Sequence, residues 1–284
     1  MVLVVKMSEV DVSIIMPAIR TTLWRNMVES IKTSCTKYSW ELVLISPFDL
    51  PDELKDEPNI KLIKDFGCPS RCVQLGLQYC EGRLVGHFVD DAIFLPNSLD
   101  AAIDQYNELC SGRDIINCRY REGANWSGGT LPMGFWNAHY HQELQLAGIP
   151  AHYKIALHQL ISHEALYNFG GFDCRWDYIN HGSHDLVFRV QANGGKVFDS
   201  VVDITSCSHF IGDTGDHRAI YTAQTFHDKP LFDEIYSVPG NPAQNRICLD
   251  FDNWKQRPSV WKTRFAKGIH SSYQELLERN ESYE

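Results

Sequence analysis

Short apolar runs alternate along the first half of the chain with longer stretches in which apolar positions recur every three or four residues. DVSIIMPA (11–18), WELVLIS (40–46), NIKLIKDF (59–66), RLVGHFV (83–89) and RDIINCRY (113–120) read as strands. Between them, TTLWRNMVESIKTSC (21–35) reads as a helix with a Thr cap and a face formed by Leu23, Met27 and Ile31. SRCVQLGLQYC (70–80), capped by Ser70, and LPNSLDAAIDQYNELC (95–110) read as helices too. Strands alternating with helices of about 10–15 residues predict an α/β fold whose mostly parallel central sheet is flanked by helices. In such sheets ligands sit at the carboxyl ends of the strands.

The pattern then changes. Residues 121–160 crowd Gly, aromatic and His side chains without clear periodicity, which predicts a loop-rich excursion over a site. ISHEALYNFGGFD (161–173) reads as a short helix ending in a turn, and NHGSHDLVFRVQANGG (180–195) as a capped helix closed by two glycines. KVFDSVVDITSCSHF (196–210) reads as one or two strands. From 212 onward there is neither a repeat nor a second hydrophobic core. The expected organisation is a main domain over 1–211, with halves 1–120 and 121–211, and a C-terminal appendage over 212–284.

Charge narrows the function. The chain of 284 residues carries 26 basic and 36 acidic side chains, a net charge of -10, which argues against a nucleic-acid partner. No stretch approaches the ~20 apolar residues of a membrane span, and the opening MVLVVK is too short for a signal-peptide core. Nine cysteines without a CxxC pair read as reduced thiols. The expectation is a soluble, cytoplasmic protein, free or peripherally associated with a membrane.

In GHFVDDAIFLPNSL (86–99), the adjacent acids Asp90 and Asp91 end a strand that reads as buried. Buried carboxylates need partners, so the pair is either a solvated turn or a place where a cation is held. Arg71, near the start of a helix, opposes the helix dipole unless an anion binds there.

Three stretches, VSIIMPAIR, GCPSRCVQLGLQYCEGRLVGHFVDDAIFLP and HEALYNFGGFDCRWDYINHGSHDLVFRVQANGGKVF, stand in the order found in family 2 glycosyltransferases, and over roughly 11–210 the chain resembles that family. The resemblance implies a GT-A fold with a nucleotide-sugar-binding half over 1–120 and an acceptor-binding, catalytic half over 121–211. It implies a metal-dependent, inverting transfer of a sugar to an acceptor hydroxyl of a carbohydrate or glycoconjugate, in glycan or polysaccharide synthesis. By this resemblance Pro17, Ala18, Arg20, Ser46, Arg71 and Asp90 contact the nucleotide-sugar, and Asp91 and His209 hold the ion. Asp185 is the general base, and Trp126, Trp136 and His184 meet the acceptor. A mixed Asp and His site suits manganese, with magnesium as the alternative.

The sequence departs from the family at Val89, where the first acid of the DXD would stand, and at Ser46 and His184, which replace acids; Ile19 and Arg20 replace the Tyr and Asn that usually follow the first Pro. The histidines at 139, 141, 152, 158 and 163 contain no HExxH, so a separate zinc centre is not expected there. Two other functions fit the same pattern. One is a nucleotidyltransferase, although PAIRTTLW has no glycine for a phosphate loop. The other is a non-catalytic protein that binds carbohydrate or nucleotide-sugar on the same fold.

Overall fold

The computed structural model describes residues 10–65, 67–122, 143–145, 152–207, 224–236 and 250–256. Strands β1 (Val12–Pro17), β2 (Trp40–Ser46), β3 (Ile60–Lys64) and β4 (Leu84–His87) run parallel in the spatial order β3-β2-β1-β4. Gly86, Ile14, Leu42 and Ile60 share one register row across all four. Val12 through Met16 and Glu41 through Ser46 are all buried, the continuous burial of strands covered on both faces.

Beyond β4 the sheet continues through β10 (Gln159–Ser162), β6 (Ile115–Asn117) and β11 (Val197–Asp199), seven strands in all. β10 runs antiparallel to both β4 and β6. The sequence reading placed residues 159–162 across the end of an irregular excursion and the start of a helix. That is corrected here: four residues between turns are too few to show a period, and pairing with β4 and β6 decides their conformation. A second sheet joins β5 (Ala92–Phe94), β12 (Thr205–Cys207) and β7 (Tyr120–Glu122). β8 (Glu143–Gln145) and β9 (His152–Lys154) form a short antiparallel pair inside the expected excursion.

Helices α1 (Thr21–Ser34), α2 (Pro69–Gly76), α3 (Ser98–Leu109), α4 (His163–Asn168) and α5 (Ile179–Ala192) flank the sheets. α1 buries Trp24, Met27, Val28 and Ile31, with Leu23 at the margin of that face. Three expected caps are replaced. At α1 no Thr caps the helix; the Asp90 carboxylate accepts from Ile19 N at 2.7 Å and Arg20 N at 2.6 Å. At α2 the helix opens on Pro69, whose fixed φ suits a first turn, and Ser70 lies inside it. At α5 the Asp228 carboxylate accepts from Asp177 N at 3.0 Å and Tyr178 N at 2.6 Å. Of α1 to α5, α4 alone follows the local rule, with Ser162 Oγ accepting from Ala165 N at 3.1 Å.

The expected GGFD turn joins α4 to α5. Gly170 and Gly171 take φ of 79° and 67°, a region that side chains disfavour. Gln74 of α2 locks the turn, donating to the Gly170 carbonyl at 3.0 Å and accepting from Phe172 N at 2.7 Å. A Cβ on Gly171 would stand 2.1 Å from Gln74 Oε1, so glycine is required twice over.

The described parts of 212–284 pack on the main domain. A π-helical turn (Gln224–Asp228) leads into α6 (Lys229–Tyr236), and a 3₁₀ turn spans Asn253–Gln256. Tyr236 joins Tyr153, Trp176 and Phe188 in a small buried cluster edged by Leu231, Phe232 and Ile235. Phe251 stacks near Tyr167, and its carbonyl accepts from Gln74 Nε2 at 2.7 Å. Among the described residues no helix is long and apolar enough to cross a membrane. The eight cysteines among them are free thiols, and burial pushes the thiols of Cys35 and Cys80 up to about 12.

His87 makes stability depend on pH. It is 3% exposed beside Phe172, and burial lowers its pKa to about 4. The unfolded chain takes up this proton near pH 6.5, so the neutral imidazole stabilises the fold fully above that pH. The contribution falls as pH drops from 6.5 towards 4, by about 2 kcal/mol between pH 7 and pH 5. Urea midpoints at both pH values should therefore differ less in His87→Leu than in wild type; equal differences would remove this role.

Candidate functional site

The loops that leave β1 to β4 meet at one edge of the sheet. Ala18 N donates to the Ile45 carbonyl at 2.9 Å, Asp65 N to the Ser46 carbonyl at 3.4 Å, and Phe88 N to the Ile15 carbonyl at 3.1 Å. These bonds extend the parallel pairing past the strand ends. They gather Pro17, Ala18, Arg20, Ser46, Arg71, Asp90 and Asp91 along the carboxyl edge, where ligands bind in open α/β sheets.

The two adjacent acids divide there. Asp90 is 2% exposed and held by Ile19 N, Arg20 N and the Arg20 guanidinium. Two amide donors, a cation and the start of α1 together offset the cost of its burial. Its contacts fix the β1–α1 loop. Asp91 is half-buried in the turn closed by Ala92 N donating to the Val89 carbonyl at 3.2 Å. Of the pair, Asp91 is the carboxylate nearer to solvent.

Ser46 is buried, its Oγ accepting from Phe48 N at 3.0 Å. Beside it stands Asp65, which the sequence reading passed over. Asp65 accepts from Arg71 Nη2 at 2.7 Å, Arg71 Nε at 3.2 Å and Gly67 N at 2.8 Å. The acid missing at the end of β2 is thus matched by one just past β3. Its signal in the sequence is an acid at the close of the apolar run 59–66. Arg71 also donates to the Trp254 carbonyl and lies 5.6 Å from the Trp254 ring. Its charge in the first turn of α2 is answered by Asp65.

On the acceptor side, Asp185 lies well inside α5, nearly two turns from Ile179. It is fully buried, accepting from Arg189 Nε at 3.0 Å and from Tyr236 OH at 2.5 Å. Arg189, equally buried, donates onward to the carbonyls of Phe169 and Gly171. The network therefore ties α5, α6 and the Gly170–Gly171 turn together. His184 is half-buried, its ring 6.4 Å from that of Phe188. Trp126, Trp136 and His209 lie outside the described residues, as do His139, Tyr140 and His141.

No family model and no curated protein matches the sequence. Solved structures do. S. aureus TarS aligns over 94% of this chain and 47% of its own, at 14% identity and a TM-score of 0.53. TarS 1–349 in complex with UDP-GlcNAc aligns over 95% of this chain and 79% of its own, at 14% identity and a TM-score of 0.52. The same fragment in complex with UDP gives 93%, 77%, 11% and 0.51. The chain spans about half the length of TarS. At these identities the likeness establishes the fold alone, which is GT-A-like.

Proposed function

We propose that this protein is a glycosyltransferase that takes a sugar from a nucleotide-diphosphate donor, of the uridine class, and passes it to an acceptor hydroxyl with inversion. The observation that carries this reading is the convergence of Pro17, Ala18, Arg20, Ser46, Arg71, Asp90 and Asp91 on one carboxyl edge of a GT-A-like sheet. TarS, of the same fold, has been solved with UDP and with UDP-GlcNAc.

The geometry of the described residues supports the roles proposed for them, and those of Trp126, Trp136 and His209 rest on the family resemblance. The Arg20–Asp90 pair holds the β1–α1 loop still, which supports the base and ribose against Pro17 and Ala18. Asp65 and Arg71 frame the opposite side of the edge, next to Ser46. Asp91 has the hard oxygen donor and the partial exposure that a manganese or magnesium ion requires, and His209 is the proposed second ligand. Such an ion, when bound, neutralises charge on the leaving diphosphate. Trp126, Trp136 and His184 are the proposed acceptor contacts. Asp185, with both oxygens taken up inside the protein, is assigned to positioning the Gly170–Gly171 turn rather than to proton abstraction. Free thiols support a reducing, cytoplasmic setting.

A phosphate-loop nucleotidyltransferase is disfavoured, because Asp90 occupies Ile19 N and Arg20 N, donors such a loop would offer to phosphate. The enclosure of Asp185 favours one rival, a protein that binds the donor without turnover. Incubation with a panel of nucleotide-sugars, with and without manganese, separates the two by mass spectrometry. Manganese-dependent release of a nucleoside diphosphate from a UDP-sugar is the expected result. Binding without release would support the rival, and neither binding nor release would overturn both.

A further inference from the structure

We infer that Asp177, His227 and Asp228 form a binding site for one divalent transition-metal ion of the zinc class, which clamps the segment 224–236 to the start of α5. The inference is independent of the donor site, since none of these residues belongs to the carboxyl edge of β1 to β4.

The three side chains come from two distant stretches and present ligand atoms that all lie within 4.8 Å of one another. His227 Nδ1 stands 3.4 Å from Asp177 Oδ2 and 2.7 Å from Asp228 Oδ1. Ligands about 2.1 Å from a tetrahedral zinc ion are separated by roughly 3.4 Å. The first distance already matches, and the second would open by less than an ångström around a bound ion. Asp177 is 1% exposed and Asp228 fully buried. Two carboxylates converging out of water repel, and among the described residues the imidazoles of His227 and His181 stand within 4.0 Å of them. A divalent ion removes the repulsion.

A second imidazole stands at the edge of this group. His181 Nδ1 points at Asp228 Oδ2 from 3.8 Å, is shielded from solvent, and has no hydrogen-bond partner among the described residues. Its ring is held against Trp176 at 5.7 Å. The amides of Asp177 and Tyr178 fix the Asp228 carboxylate from behind, the outer support that metal ligands commonly have. Imidazole beside carboxylate favours zinc over calcium or magnesium, which take oxygen alone. The ion would join the π-helical turn before α6 to the residues that lead into α5, so it would stabilise the packing of α6 without taking part in transfer.

The test uses the full chain carrying Asp91→Asn, so that a donor-site ion is not counted. After chelation and dialysis it is titrated with Zn²⁺ alone, and in parallel with Co²⁺ as a spectroscopic substitute. One equivalent bound, with tetrahedral cobalt absorption and no thiolate-to-metal charge-transfer band, is the expected result. His227→Ala, at a partly exposed position, and Asp177→Asn should each weaken zinc binding by roughly 100-fold or more while the circular dichroism is retained. Stoichiometry well below one, a thiolate band, or affinity unchanged in both variants would overturn the site. Should a variant fail to fold, X-ray absorption on the zinc-loaded parent decides: nitrogen and oxygen ligands with imidazole scattering support the clamp, and sulfur ligands refute it.

Discussion

Asp185→Asn should destabilise the folded protein by about 3–5 kcal/mol, the cost of leaving one member of a buried ion pair without its partner. Arg189 has no exposure, and its remaining bonds run to the uncharged carbonyls of Phe169 and Gly171. Neither can replace a carboxylate as a counter-charge. An amide at position 185 can still accept from Tyr236, so the loss is mainly electrostatic. Tyr236→Phe removes one hydrogen bond to a charged acceptor and should cost about 1.5–3 kcal/mol. Replacing the pair together, as Asp185→Leu with Arg189→Met, should recover much of the stability because no buried charge is left over. Chemical denaturation of the four proteins gives this ranking directly. If Asp185→Asn keeps wild-type stability and loses transfer alone, the carboxylate is the general base and not a positioning residue.

The parallel core was legible because β1 and β2 are apolar along their whole length and the helices between them keep an apolar face. β10 was not, since four residues show no period and its place comes from pairing with β4 and β6. The capping of α1 and α5 was equally hidden. Asp90 and Asp228 reach amides far away in sequence, so no local motif could announce them. The Asp90–Asp91 pair was recognised as unusual, yet the division between a loop brace and a half-buried acid exists only once β4 lies beside β1. Asp65 had the same local signature as Asp90 and was missed. His227 and Asp228 lie in a stretch read as an appendage, and they meet Asp177 only because α6 packs on α5.

Asp91→Asn should abolish metal-dependent donor binding and leave the fold intact. The substitution keeps the shape of a half-buried turn residue and removes the charge that would hold the ion. A loss of roughly 100-fold in affinity for UDP in the presence of manganese corresponds to about 2.7 kcal/mol. Asp90→Asn should act differently. Its one oxygen can still accept from both loop amides, which share Asp90 Oδ2, but the ion pair with Arg20 is lost, so UDP binding weakens with or without the metal. The ratio of the two affinities then survives in Asp90→Asn and vanishes in Asp91→Asn. The reverse ranking would place the ion on Asp90.

Calorimetric titration of the wild-type protein with UDP, with and without manganese, tests the donor site most directly. The ion and the diphosphate complete each other's coordination, so manganese should tighten UDP binding at least about tenfold, a gain of about 1.4 kcal/mol. UDP should in turn raise the affinity for manganese by the same factor. Absence of UDP binding under both conditions would contradict a nucleotide-sugar site at the carboxyl edge of β1 to β4, and equal affinity under both would contradict a metal ion at Asp91.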